Sequence, residues 1–314
     1  MRTLENGEKS LKNLRESNIA LIINLMRKLG TCSRAELSKA SGLVQSTITS
    51  IIDSLIKSGV VIETGSLTGG RGRRSIAIQL NAEKLIVLGI RVTKNFYTLS
   101  LIDIFGEVQE IEKHPIAQRL EDPRVFEDIL QTSSEFLDKA EHKPVGVGLA
   151  LPGPYFINED NSLFLTDEGW KKFSFTRKFE DRLHLPVFIE QDSNVGAMGE
   201  WWFGNSEIEQ GTKVFISSGD GVGAGIVVDG KIQRGALGAA GEIGHINMTL
   251  EGDKLLGHQV PETLCGCGKT GCFETYLSGP GFERIFTAFY GEKLSAVDII
   301  ARYYDGDHNA KLHV

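Results

Sequence analysis

Three of the four cysteines in this 314-residue chain fall within eight positions, Cys265-Gly266-Cys267-Gly268-Lys269-Thr270-Gly271-Cys272. So few cysteines in so long a chain cannot make a disulfide framework, and their crowding points to a bound metal instead. Thiolates suit a borderline-soft ion, and the intervening glycines let a tight loop fold around it. His245, in Gly241-Glu242-Ile243-Gly244-His245, supplies a fourth ligand; His258 is an alternative on spacing alone. A complete Cys/His shell leaves no open position, so the expected zinc is structural and does not activate water.

The length favours two domains, and 41% apolar content suits a globular chain. No apolar run approaches the roughly 18 residues of a membrane span, and Met1 to Asn18 is polar, without a signal-peptide core. The expectation is a cytoplasmic protein that does not enter a membrane. The net charge of −7 conceals a division. Residues 1–80 carry 12 Lys and Arg against 6 acids, whereas the rest of the chain carries 22 against 35. A basic head on an acidic body points to a polyanion partner for the head alone.

In the head, Ile19, Ile22, Ile23, Met26 and Leu29 recur at helical spacing after Ser17-Asn18. Ser33 and Glu36 then form a capping box for a short second helix that stops at Ser41-Gly42. A third helix buries Val44, Ile48, Ile51, Ile52, Leu55 and Ile56 and ends at Gly59. That succession is a helix-turn-helix. The open face of the third helix carries Gln45, Ser46, Thr47, Thr49 and Ser50, short hydrogen-bonding groups where a recognition helix meets base edges. Two alternating segments, Val60–Glu63 and Ser75–Leu80, flank a Gly-rich tip with Arg71, Arg73 and Arg74. They read as a β-wing whose tip lies along a phosphate backbone or enters a minor groove. The expected partner is DNA.

From Leu85 the period changes to that of strands: Leu85–Val92, Phe96–Ile104 and Glu107–His114 form a meander. A helix over 123–140 precedes Val145–Leu151, apolar on both faces and so central in an α/β sheet. Pro186–Glu190 is a further strand, and Gln191-Asp192-Ser193-Asn194 opens a helix through Glu200. Val214–Ser217, a glycine run over Gly219–Gly225 and Ile226–Val228 follow, which implies two successive mixed α/β lobes with ligands at strand ends. Asp192, Glu242 and Glu274 stand at glycine-flanked strand ends or beside the zinc loop. Carboxylates of this kind hold the hydroxyls of a neutral polyol, although a helix cap uses the same residues.

These residues carry a resemblance. Leu151-Pro152-Gly153-Pro154, Gln191–Asn194, Gly219–Gly225, Ala240–His245 and the segment Cys-Gly-Cys-Gly-x-x-Gly-Cys-x-Glu ending at Glu274 resemble the ROK family of repressors, open reading frames and sugar kinases. With the head included, the chain resembles the repressor branch. The resemblance implies an α/β architecture: a winged helix-turn-helix over 1–80, then a two-lobed, actin-like and RNase H-like body over 81–314. It implies zinc on His245, Cys265, Cys267 and Cys272, and a sugar held by Gln191, Asp192, Glu242, His245 and Glu274. In family kinases the residue matching Asp192 is the general base.

Departures separate the branches. Kinases of the family open with Asp-x-Gly-Gly-Thr around the ATP phosphates, where this chain has Arg91-Val92-Thr93-Lys94-Asn95. Their Gly-Thr-Gly loop is Gly219-Asp220-Gly221 here, and Gln191 replaces the usual Asn. A carboxylate beside a γ-phosphate is electrostatically adverse. The chain stops at Val314, short of the closing helices and final strand of such proteins, which leaves a fragment as one reading. The expectation is a non-enzymatic homodimeric repressor of carbohydrate-utilisation genes, bound to operator DNA and released by a sugar. The alternatives are an ATP-dependent sugar kinase with a DNA-binding head, or a regulator controlled by a docked protein.

Overall fold

The computed structural model describes residues 2–68, 74–117, 122–153, 155–157, 163–165, 175–204, 210–236, 238–248, 254–255, 258–260 and 263–313. The first three helices are α1 (Arg2–Leu29), α2 (Arg34–Ser41) and α3 (Gln45–Lys57). Helix α1 begins well before its apolar stripe, because Leu, Glu, Lys and Arg in its first half favour a helix without needing a buried face. The capping box at α2 is formed: the Glu36 N–H donates to Ser33 Oγ at 3.3 Å, and the Ser33 N–H donates to Glu36 Oε2 at 2.8 Å. Gly42 closes α2 in the left-handed region at φ 71°, where a side chain would be strained.

One core joins Ile22 and Met26 of α1, Leu37, and Ile48, Ile51, Ile52 and Leu55 of α3 to the hairpin of β1 (Val61–Thr68) and β2 (Arg74–Leu80). The strands are antiparallel, Val61 opposite Leu80, with a bulge between Glu63 and Gly65. Val44, expected in the stripe, is instead exposed: it is the extended N-cap residue of α3, so helical spacing does not reach it. Arg71 and Arg73 lie outside the described residues, as does the side chain of Arg74.

The body begins with the meander β3 (Ile86–Val92), β4 (Phe96–Asp103) and β5 (Val108–Pro115). Helix α4 (Pro123–Lys139), capped by Asp122, and α5 (Phe175–Leu183) flank β6 (Val147–Leu151) and the hairpin β7 (Tyr155–Ile157) with β8 (Leu163–Leu165). Strand β9 (Val187–Gln191) completes a mixed sheet of order β5-β4-β3-β6-β9, in which β3, β6 and β9 run parallel. Its core packs Leu88, Ile90, Leu149 and Leu151 against Phe126, Ile129 and Phe179 of the helices.

Helix α6 (Asp192–Phe203) leads to β10 (Thr212–Ser218), β11 (Val222–Val228) and β12 (Lys231–Ile232). Among the described residues this second sheet is wholly antiparallel. Strand β11 takes up the second half of the glycine run. A β-carbon on Gly225 would lie 2.1 Å from the Ser193 carbonyl oxygen, and one on Gly223 2.9 Å from Ser193 Oγ. Those glycines let α6 settle on the sheet; they do not cradle a ligand. A short ladder of β13 (Lys254–Leu255) and β14 (His258–Gln259) follows, then α7 (Glu274–Leu277), α8 (Gly279–Tyr290), α9 (Ala296–Asp305) and α10 (His308–His313). No helix of the described residues is long and apolar enough to cross a membrane.

Candidate functional site: a thiol-imidazole cluster beside polar strand ends

The parallel strands β3, β6 and β9 end together, and the residues just beyond them meet the loop that follows β12. Gln191, the last residue of β9, is buried and donates from Nε2 to Glu242 Oε1 at 3.0 Å. A β-carbon on Gly153 would lie 2.2 Å from that Nε2, so the glycine gives the amide its room. Glu242 Oε2 in turn lies 3.8 Å from His245 Nε2. Sequence reasoning grouped these three residues, and the structure brings them into one chain of polar contacts.

His245 belongs to a 3₁₀ turn, Ile243–His245, packed so closely on β11 that a β-carbon on Gly244 would meet the Val222 carbonyl oxygen at 2.2 Å. Its Nδ1 faces away from Glu242, 3.4 Å from Cys265 Sγ. Cys267 Sγ and Cys272 Sγ are 3.5 Å apart, and the four ligand atoms of His245, Cys265, Cys267 and Cys272 all lie within 4.8 Å of one another. Bonds of about 2.3 Å to a tetrahedral zinc put sulfur atoms about 3.8 Å apart, so the donor set and its spacing fit that ion. Burial pushes the Cys265 thiol up to about 12, so a cation is what would let it ionise and ligate. Gly268 and Gly271, at φ 84° and 75°, allow the loop to reverse on itself. His258 lies in the β13–β14 ladder, and its side chain is outside the described residues.

Glu274 opens α7 from the other side of the cluster. Its Oε2 accepts from the Val222 N–H at 3.2 Å, and the Cys265 thiol donates to its Oε1 at 3.4 Å. Both contacts tie Glu274 to the cluster and to β11. Asp192 heads α6 and accepts from the Ser193 N–H at 2.7 Å. Burial raises its carboxyl above the ordinary 3.8, while the Ser193 hydrogen bond and the field of Arg91 pull it back. Arg91 stands one residue before the end of β3, in register beside Ala150 of β6, which is beside Glu190 of β9.

Two features at this end escaped the sequence reading. Glu190 accepts from Arg234 Nε and from Asn194 Nδ2, each at 3.0 Å, so a carboxylate inside an apolar strand has its partners. Its position one residue before Gln191 was the available signal, since a half-buried acid needs a donor. The second is a bridge: Asn95 Nδ2 donates to Asp220 Oδ1 at 3.5 Å, linking the β3–β4 turn to the β10–β11 turn. These are the two places where the kinase pattern is broken, and they face each other. In the head, Gln45, Ser46, Thr49 and Ser50 are exposed and Thr47 is half-buried, all at the start of α3.

An α/β body of this sheet order, with a Cys/His cluster beside a row of polar strand-end residues, belongs to the actin-like class of α/β proteins. The chain belongs to the ROK family, whose sequence profile matches residues 87–314. It is similar to the xylose repressor of Caldicellulosiruptor bescii, 29% identical over 268 residues, 84% of this chain and 64% of that protein. It is also similar to the N-acetyl-D-glucosamine kinase of Photobacterium profundum, 34% identical over 218 residues, 67% of this chain and 70% of that protein. Among solved structures, a ROK family transcriptional regulator homologous to the E. coli MLC protein superposes with a TM-score of 0.76 at 28% identity, covering 95% of this chain and 76% of that one. The chain spans about two thirds of the length of the xylose repressors it matches.

Proposed function

We propose that this chain is a sugar-responsive transcriptional repressor, with residues 1–80 a winged helix-turn-helix that binds operator DNA and 81–314 the sugar-binding body. The observation that carries this is the head: α3 offers Gln45, Ser46, Thr47, Thr49 and Ser50 at its start, on one core with the β1–β2 hairpin, and the sequence that links those strands contains Arg71, Arg73 and Arg74. Short neutral donors and acceptors on a helix read base edges, and arginines on a wing hold phosphates. Two such heads in a homodimer would read two half-sites one helical turn apart.

In this reading Gln191, Asp192, Glu242, His245 and Glu274 bind the sugar. His245 would do two jobs, its Nδ1 on the zinc and its Nε2 toward Glu242 and the sugar hydroxyls. Bound zinc would neutralise the thiolates and lock the loop 265–272 against Glu274; it supplies no reaction step. D-xylose is the first sugar to test, because relatives are named xylose repressor. Sugar in the cleft would favour a lobe arrangement that presents the heads poorly to the operator.

A kinase reading draws on half-buried Asp192, placed like a general base, and on the kinase relatives. The Asn95–Asp220 bridge argues against it, since it puts a carboxylate where a γ-phosphate would need positive charge. The decisive experiment is a duplex selected from a random-sequence pool, titrated by fluorescence anisotropy with and without D-xylose. Repression by this mechanism requires a sugar-dependent change in affinity. ADP release from D-xylose or N-acetyl-D-glucosamine with Mg·ATP would establish the kinase instead.

A further inference from the structure

Helix α6 has one end at the cleft and the other at the head. Its first residue is Asp192 and its last are Trp202 and Phe203, about 17 Å apart at 1.5 Å per residue. At the far end, Arg27 in the last turn of α1 donates from Nη1 to the Trp202 carbonyl oxygen at 2.8 Å. The same guanidinium lies 5.6 Å from the centroid of the Trp202 ring and 5.1 Å from that of Phe203, within cation–π range of both. Its Nε is buried and has no hydrogen-bond partner among the described residues. Exposed polar residues are not held in this way; this one is clamped by aromatic faces and a backbone carbonyl.

The clamp lies where three bodies meet. Ile104 and Phe105, at the β4–β5 turn of the first lobe, pack on the head core. Gly106 of that turn, at φ 89°, lies so close to the Phe203 ring that a β-carbon there would be 2.9 Å from it. Helix α6 is in turn pressed on the second lobe, where a β-carbon on Gly196 would be 2.4 Å from the Phe215 ring. The head therefore touches the first lobe through Phe105 and the helix packed on the second lobe through Arg27. Any change in lobe angle alters the relation of those two anchors, and the head must follow or let one go.

We infer that Arg27 is the coupling residue of this protein: through its grip on Trp202 and Phe203, the state of the cleft at Asp192 sets the orientation of the DNA-reading head. The inference rests on the sugar-responsive reading above. It names a positioning residue that touches neither sugar nor base edges.

The test compares the full-length wild-type chain with Arg27→Ala and Arg27→Lys in three measurements: D-xylose affinity by calorimetry, affinity for the selected duplex with and without saturating D-xylose, and thermal melting. In wild type, D-xylose changes duplex affinity by about tenfold or more, and the duplex changes D-xylose affinity by the same factor, as linkage requires. In Arg27→Ala each ligand alone binds within about threefold of wild type, both coupling factors fall below about twofold, and head and body melt in two transitions. Arg27→Lys, which keeps a cation for the rings, regains part of the coupling. A residue needed only to fold the head would lower duplex affinity equally with and without sugar, and that result overturns the inference. So does an unchanged coupling factor in Arg27→Ala. If wild type itself shows no response to D-xylose, the function proposed above is what fails; a single, unshifted melting transition in Arg27→Ala then removes the clamp as well.

Discussion

Replacing Gly225 by alanine tests the idea that the glycines of β11 exist to seat α6. The new β-carbon would lie 2.1 Å from the Ser193 carbonyl oxygen and 2.7 Å from Ala197 Cβ. Ordinary contact begins near 3.4 Å, so the helix must retreat by about 1.3 Å, and neither obstacle is the loose end of a long side chain. Overpacking of this kind costs about 1–3 kcal/mol, and a backbone carbonyl as the obstacle argues for the upper end. At about 2–4 °C per kcal/mol for a body of this size, melting should fall by about 6–12 °C. Because Asp192 rides on the same helix, D-xylose binding should weaken by about tenfold along with it. Gly148→Ala is the control: it lies in the first sheet with nothing within 4 Å of the added carbon, and should melt within about 2 °C of wild type. Scanning calorimetry and titration calorimetry on both variants decide the matter. Equal melting of the two, or a Gly225→Ala protein within about 2 °C of wild type, refutes the packing argument.

Four further outcomes are expected. Ser33→Ala removes the acceptor for the Glu36 N–H and should cost about 1 kcal/mol, seen as a lowered melting temperature of the chain. Atomic absorption should find one zinc per chain, and Cys272→Ser or chelation should lower both the body's melting temperature and D-xylose affinity. Asp192→Asn should raise the melting temperature at neutral pH: burial lifts the folded carboxyl above its ordinary 3.8, so ionisation favours the unfolded chain as pH rises through that range. The gain should fade as pH falls toward 4, in a pH series of melts. Gln45→Ala should weaken selected-duplex binding by about 1–3 kcal/mol while leaving random-sequence binding unchanged, read by anisotropy.

Much of this molecule was legible from local patterns. Helices α2 and α3 follow from a capping box and a stripe at helical spacing, and β3, β4 and β5 from alternation with short turns. The cysteine spacing pointed to a ligand cluster but left His245 and His258 both open as its fourth member; the resemblance singled out His245, which the structure places beside the three thiols. Less local features were out of reach. Gly219–Gly225 reads as a loop until α6 is laid against it, since close approach of two elements leaves no periodic trace in either one. Val44 continues the stripe in sequence but is the extended cap in space. Arg27 looks like one basic residue among twelve in the head; only a fold that brings Trp202 to it, 175 positions away, gives it a partner. The Asn95–Asp220 bridge likewise joins turns 125 positions apart.

The β4–β5 turn limits how freely this architecture can be recombined. Asp103, almost wholly buried, accepts from the N–H groups of Phe105 and Glu107 and from Gln109 Nε2, which holds the turn in one shape. Phe105 and Gly106 project from it toward the head core and the aromatic end of α6. A chimera that grafts a foreign reader onto this body at residue 80 would keep those aromatics but lose the arginine they were shaped around. Transplants that carry matching junctions on both sides should stay inducible, and those cut at the domain border alone should bind DNA yet ignore the sugar.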